Sequence, residues 1–208
     1  LHDENYAKLR VVRRMFTRAQ QVWFHVPAEK DLAQRLYPQL QGARLLGEQV
    51  DTEVQQYDDS VFRQAYGVEA PYLLYVGRKV SGKNLPLLLD CFREYKRRHP
   101  SSLKLVVMGR EGDVSISGSD LVDVPFVRDE KIKFSAMAGA VALVQPSLNE
   151  SFSIVCMESW LQGRPVLVHQ DCAVTYEHVN RCGGGYAFSD QNSFDQTIVA
   201  LLDDKAAI

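Results

Sequence analysis

The sequence holds no apolar run that approaches the roughly 18 residues a membrane-spanning helix needs. It also lacks an excess of either charge: 24 Lys and Arg stand against 26 Asp and Glu, a formal net charge of −2. Nucleic acid is therefore excluded as the main partner, because a phosphate backbone rewards a basic excess. Cysteine is scarce. Cys91, Cys156, Cys172 and Cys182 form no C-x-x-C pair, which argues against a disulfide framework or a cysteine zinc site and fits a reduced, cytoplasmic chain. No internal repeat, low-complexity tract or signal-peptide pattern is seen. What is present is ordinary for a packed domain, with 46 % hydrophobic and 24 % charged residues.

The periodicity falls into two parts. In the first, Leu9, Val12, Met15, Phe16 and Ala19 recur at helical spacing over Asn5–Ala19. A strand is expected at Gln21–Val26 and a helix over Ala28–Tyr37, opened by Pro27 at a first-turn position. A second strand is expected at Ala43–Val50 and a helix at Asp59–Tyr66. The pattern breaks around Gly67–Pro71, which divides the chain into residues 1–68 and 69–208. The first piece is too small for a comfortable core of its own and reads as the tail of an α/β domain whose beginning is missing. The chain opens on Leu1 rather than Met, which also points to a fragment.

The second part alternates regularly. Tyr72–Val76 is a continuous apolar run, as a strand buried on both faces is, and Leu103–Met108 reads as a second buried strand. Further strands are expected at Val122–Val127, Val141–Val144, Pro165–His169 and Tyr186–Phe188. Helices are expected at Leu85–Arg98, Glu130–Ala140, Ile154–Gly163 and Ser193–Asp203. This alternation predicts a Rossmann-like parallel sheet with helices on both faces.

Ligands of such sheets sit outside the carboxyl ends of the strands, so the following loops carry the chemistry. The first contains Gly77, Arg78, Gly82 and Lys83. Two cations beside glycines suit a diphosphate, though a solvated basic loop has the same composition. A later loop contains Asn149, Glu150, Ser151, Phe152 and Ser153, and Glu158 follows eight residues after Glu150. Eight helical residues would turn the second glutamate by about 80° from the first. If Ser153 caps the helix, Glu150 lies in the loop, Glu158 faces the pocket, and the N–H groups of Ser153, Ile154 and Val155 point at an anion. Two solvated glutamates favoured by the helix dipole are the alternative.

The strings YVGRKVSGKN, PSLNESFSIVCMESWLQGRPVL and GGGYAF, in this order and spacing, resemble the carboxyl-terminal domain of family-four retaining glycosyltransferases, over about residues 72–205. The front is looser: Leu1–Glu4, Pro27–Glu29 and Gly47–Asp51 resemble the last third of the amino-terminal domain. The resemblance implies the GT-B architecture of two facing Rossmann-like domains. It also implies transfer of a sugar from a nucleoside diphosphate sugar to a hydroxyl acceptor with retention, as in polysaccharide or glycolipid synthesis. Arg78 and Lys83 would stabilise the leaving diphosphate, Glu158 would hold the ribose and Glu150 the donor sugar. Gly77, Phe152, Ser153, Ile154 and Val155 would line the donor site, and Gly109, Val127 and Arg128 would border the base. No metal or other cofactor is implied, in keeping with the missing Asp-x-Asp motif.

Two departures stand out. The family usually has Gly beside the signature Phe, whereas Ser151 and Ser153 flank Phe152 here. The family's Gly-rich first loop would lie before Leu1, and its long closing helix is missing after Ile208, so the chain is expected to bind donor without turning it over. A nucleotide-sugar epimerase and a non-catalytic donor-binding partner subunit are the competing functions. The basic flank of Lys8, Arg10, Arg13, Arg14 and Arg18 suits either a solvated helix face or an anionic lipid surface at the inner face of a membrane. Gly183–Gly185 lacks the context of a dinucleotide fingerprint. His169 and His178 read as structural.

Overall fold

The computed structural model describes residues 9–53 and 55–203. Lys8, the expected helical residues 5–8 and the family-like segment 1–4 lie outside the described residues. The first part comprises α1 (Arg10–Arg18), β1 (Val22–Phe24), α2 (Pro27–Leu36), β2 (Ala43–Leu45) and α3 (Ser60–Tyr66). Strands β1 and β2 pair in parallel as a two-stranded sheet. They share a small core of Phe24, Ala33, Tyr37 and Leu40, with Phe16 of α1 stacked on Tyr37 at 5.0 Å. The expected strand Ala43–Val50 ends early, and Gly47 follows at φ 80°, outside extended backbone.

The second part runs β3 (Tyr72–Val76), α4 (Leu85–Arg98), β4 (Lys104–Met108), β5 (Leu121–Val124), α5 (Glu130–Gly139), β6 (Ala142–Gln145), α6 (Ile154–Leu161), β7 (Val166–His169), α7 (Ala173–Cys182), β8 (Gly185–Phe188) and α8 (Gln191–Asp203). The sheet has the order β5-β4-β3-β6-β7-β8, and every pair is parallel. Pairing of β5 stops at Val124, short of the expected Val127, because Pro125 has no N–H to donate.

The apolar runs make sense in this sheet. Along β3, Leu73 and Tyr75 point into a core with Leu85, Leu88 and Phe92 of α4 and Phe194 and Ile198 of α8. Tyr72 and Leu74 point the other way, to Phe62 of α3, Phe134 and Met137 of α5 and Cys156 of α6. A strand that feeds two cores has no polar face to show. Helix α3 thus packs on the large sheet, with Phe62 fully buried.

Helix α7 was not expected from the sequence. Its segment AVTYEHVNRC mixes the β-branched Val174, Thr175 and Val179 with polar residues, and Cys172 at its start makes no side-chain cap. It ends at Gly183, whose φ of 65° is the left-handed cap that the triple glycine supplies. Through α7 the two parts are joined: the Ala28 N–H at the start of α2 donates to Glu177 Oε2 at 3.0 Å, and Val26 packs against Cys172 and Val174. Among the described residues no helix is long and apolar enough to cross a membrane.

Candidate functional site

Strand order reverses at β3, with β4 on one side and β6 on the other. The chain leaves these neighbours toward opposite flanks, so a crevice opens at their carboxyl ends. Gly77 extends the ladder there, its N–H donating to the Met108 carbonyl at 2.9 Å. Gly109 crosses so close beneath that a Cβ on it would come within 1.7 Å of the Gly77 oxygen. Only glycine fits that crossing.

The turn after β3 is held rigidly. Lys79 is fully buried, and its ammonium lies against Glu111 Oε1 at 2.7 Å and against Asp123 Oδ1. Burial pulls the Lys79 pKa down, but the hydrogen bonds to Asp123 and Glu111 outweigh it and leave the pKa above its usual value. Lys83 closes a single 3₁₀ turn, Ser81–Lys83. Asn84 follows in left-handed backbone, which asparagine tolerates, and its side-chain amide donates to the Pro146 carbonyl at 3.0 Å. That bond ties the turn after β3 to the loop after β6. Across the tie, Lys83 Nζ donates to Glu150 Oε1 at 2.7 Å. The Glu150 side chain is 9 % exposed and that of Lys83 26 %.

In the loop after β6, the expected cap is corrected. Helix α6 does begin just after Ser153, but the serine side chain caps nothing. Ser153 has φ 68° and ψ 68°, the left-handed region a cap residue normally avoids, and its Oγ turns down to Gln145 and Cys156. The backbone therefore keeps a glycine-like conformation although the residue is serine. Phe152 is gripped by α7: the His178 ring meets the Phe152 ring edge-on at 5.1 Å, and His178 Nε2 donates to the Phe152 carbonyl at 2.9 Å. Burial holds the His178 pKa below its usual value, partly offset by that carbonyl. The neutral imidazole thus supports the signature loop. Sequence reasoning set His178 aside because helix α7 and its return to Phe152, 26 residues away in the chain, were not visible.

Gly77, Lys83, Glu150, Phe152, Ser153, Ile154 and Val155 come together around one cleft of about 310 Å³, with Gln145, Tyr75 and Glu48 as unforeseen neighbours. Arg78 is not in that lining. It is exposed, and its carbonyl accepts from the Tyr75 hydroxyl at 2.7 Å and from the Val80 N–H at 2.9 Å. Val127 and Arg128 line a second, wider hollow of about 420 Å³ with Arg110, Phe126 and Lys133. Arg110 stacks over Phe126, its guanidinium carbon 4.6 Å from the ring centre. Glu158 is tied to this hollow by Lys133, whose Nζ lies 2.8 Å from Glu158 Oε1. Apart from Arg78 and Gly109, the predicted residues thus fall into two groups, one at each of these hollows. Glu150 also borders a third hollow of about 250 Å³, between the start of α2 and the β7–α7 turn.

Chemically, the first cleft offers an ammonium, the backbone of the turn that Gly77 opens and the start of α6, whose first N–H groups have no intrahelical acceptor. The strand order and the crevice at its reversal define a Rossmann-like α/β domain. Within that class the chain belongs to the group 1 glycosyl transferases, whose family pattern matches residues 70–204.

Solved structures agree on the fold. The chain is similar to the HepE protein of Anabaena in complex with UDP-glucose, with 17 % identity and a TM-score of 0.80, covering 100 % of this chain and 62 % of that one. It is similar to sucrose-phosphate synthase of Thermosynechococcus elongatus, with 20 % identity and a TM-score of 0.79, covering 99 % and 54 %. It is also similar to WaaG, a glycosyltransferase involved in lipopolysaccharide biosynthesis, with 17 % identity and a TM-score of 0.73, covering 98 % and 61 %. The chain therefore spans less than two thirds of the length of each. No curated protein sequence matches it.

Proposed function

We propose that this chain is the donor-binding part of a retaining glycosyltransferase that moves a hexose from a nucleoside diphosphate sugar to a hydroxyl acceptor. Residues 1–68 would be the tail of the acceptor-side domain, with α3 reaching across to the sheet, and residues 69–208 the donor domain. The observation that carries this is the convergence of Lys83, Glu150 and the start of α6 on one cleft at the strand-order reversal. As the bond from the anomeric carbon to the diphosphate breaks, negative charge grows on the diphosphate oxygens. Lys83 has three N–H donors, so it can hold Glu150 with one and a phosphate oxygen with another. The α6 N–H groups add a second stabilising contact, and Arg78 a third if it swings in from solvent. These charges serve in place of a metal. Glu158 would bind the ribose hydroxyls through the oxygen that Lys133 leaves open, and the hollow of Arg110 and Arg128 would take the base.

The test is calorimetric titration of the chain with UDP, GDP, ADP and their hexose esters. We expect one nucleoside diphosphate to bind and no sugar to be transferred, since the chain spans less than two thirds of the length of the solved proteins it is similar to. Binding by none of them sinks the proposal; turnover by the 208-residue chain sinks the claim of inactivity.

Arg10, Arg13, Arg14 and Arg18 are exposed on α1. They suit the anionic inner face of a membrane that carries a glycolipid acceptor. Sedimentation with phosphatidylserine vesicles at low salt checks this: wild type should pellet and an Arg13→Glu, Arg14→Glu variant should not.

A further inference from the structure

Two residues other than glycine have positive φ among the described residues, Asn84 and Ser153. Asparagine visits left-handed backbone routinely; serine does not. A strained residue of this kind persists only where its surroundings over-determine it. The surroundings of Ser153 are specific. Gln145, the last residue of β6, is 5 % exposed, and its Nε2 donates to Ser153 Oγ at 3.3 Å. Its Oε1 accepts from Ser147 Oγ at 3.1 Å, and Ser147 Oγ also lies 3.4 Å from the Lys83 carbonyl. A second contact on Ser153 Oγ is Cys156 Sγ at 3.4 Å, one turn into α6.

We infer that Gln145 is a positioning residue: its amide, clamped between Ser147 and Ser153 beneath the cleft, holds Ser153 left-handed and so aims the start of α6 at the anion that Lys83 faces. A buried amide must find partners, and Gln145 has two serines from either end of the signature loop. The strand end beneath the cleft therefore sets the distance between the Lys83 turn and the first N–H groups of α6. The clamp substitutes for the conformational freedom of a glycine at position 153. If that is its role, glycine at 153 makes Gln145 dispensable. An amide that only completed a hydrogen bond to the hydroxyl would instead leave alanine and glycine at 153 equally harmful.

The inference rests on the donor-site proposal for its ligand, so the experiment has two readouts. UDP, GDP or ADP, whichever wild type binds, is titrated into wild type, Gln145→Leu, Ser153→Ala, Ser153→Gly and the Gln145→Leu, Ser153→Gly double variant. Thermal unfolding of all five is followed without ligand. Gln145→Leu and Ser153→Ala should each weaken the diphosphate by about ten-fold, because both leave at 153 a residue that disfavours left-handed backbone and remove the clamp that holds it there. Ser153→Gly keeps the backbone N–H and loses only a hydroxyl turned away to Gln145 and Cys156, so it should weaken the diphosphate far less than Ser153→Ala, and adding Gln145→Leu to it should change affinity by no more than about two-fold again. In thermal unfolding, the loss caused by Gln145→Leu should shrink in the glycine background. Equal losses in both backgrounds, or glycine at 153 as harmful as alanine, overturns the inference. If Gln145→Leu does not fold alone, the alanine–glycine contrast decides. If no diphosphate binds wild type, the donor proposal has failed and the thermal cycle alone judges the clamp.

Discussion

Lys79 and Lys83 stand four residues apart in one turn and meet opposite fates. Lys79 is fully buried between Glu111 and Asp123, carboxylates whose side chains are 72 % and 42 % exposed. Among the described residues Lys83 has a single carboxylate partner, Glu150, and it remains partly open to the cleft. Two carboxylates leave the first ammonium no charge to offer a ligand. One carboxylate leaves the second able to take a phosphate oxygen without losing its partner. A cation near a glycine-lined turn is thus not a phosphate site until its existing partners are counted.

The comparison breaks most readily at Lys79. Lys79→Met should destabilise the fold by about 2–3 kcal/mol, the low side of what breaking a buried pair costs, because Glu111 and Asp123 both reach water. Urea unfolding measures this. A loss under about 0.5 kcal/mol would make Lys79 a surface cation in all but position.

Lys83→Ala should do the reverse. Its unfolding free energy should change by less than about 1 kcal/mol, while diphosphate affinity falls roughly ten-fold or more with the loss of a charge-assisted bond. Unchanged affinity with the fold intact removes Lys83 from the site.

The two glutamates extend the contrast. Glu158 is held by Lys133 beside the second hollow, and its proposed ligand, ribose, is common to every nucleotide tested. Glu158→Ala should therefore weaken diphosphate and donor sugar alike, on the order of 1–3 kcal/mol. From the family role alone, Glu150 would touch only the sugar. The structure adds that Glu150 occupies Lys83, so its charge also repels an incoming diphosphate. Glu150→Gln should tighten the bare diphosphate by about two- to five-fold, the size of a partly exposed charge interaction, and weaken only the sugar-bearing ligand. Weakening of both ligands by Glu150→Gln would reverse the assignment.

Which of these features could be read beforehand follows from range along the chain. Strand β3 was legible because it feeds two cores and shows an unbroken apolar run, and β4 because Leu105–Met108 does the same once Lys104 is passed. The loop order around Lys83 and Glu150 was legible because parallel strands all deliver their carboxyl ends to one edge. Lys79 could not be told from Lys83, since its burial depends on Asp123, 44 residues further on. Arg78 looked equivalent to Lys83 in the string, yet only the lysine lines the cleft. Ser153 looked like a cap because Ser before an apolar run usually is one; its left-handed backbone, with Oγ turned to Gln145 and Cys156, overrides that preference. Helix α7 stayed hidden in a β-branched segment, and with it the support it gives to Phe152.

That support yields the smallest predicted effect. His178 donates to the Phe152 carbonyl as a neutral imidazole, and burial keeps its folded pKa below the unfolded value. The native state therefore binds fewer protons than the unfolded chain when the pH drops through the histidine range. Stability tied to His178 is fully present above the unfolded pKa of roughly 6.5 and is lost as pH falls from there through the lowered folded value. Facing it are Phe152 from the signature loop and, on its own helix, Glu177 and Arg181; the Phe152 carbonyl and the Glu177 carboxylate raise the pKa without outweighing burial, and Arg181 lowers it further. Urea midpoints at pH 7.5 and 5.5, for wild type and His178→Gln, isolate this contribution. Glutamine can still donate to the Phe152 carbonyl but does not titrate. The wild-type midpoint should fall further than the variant's over this interval, and diphosphate affinity should weaken with it, because the loop that carries Glu150 and Ser153 passes through Phe152. An equal fall in both proteins would show that the imidazole does not sense pH here, and that Phe152 is held by ring contact alone.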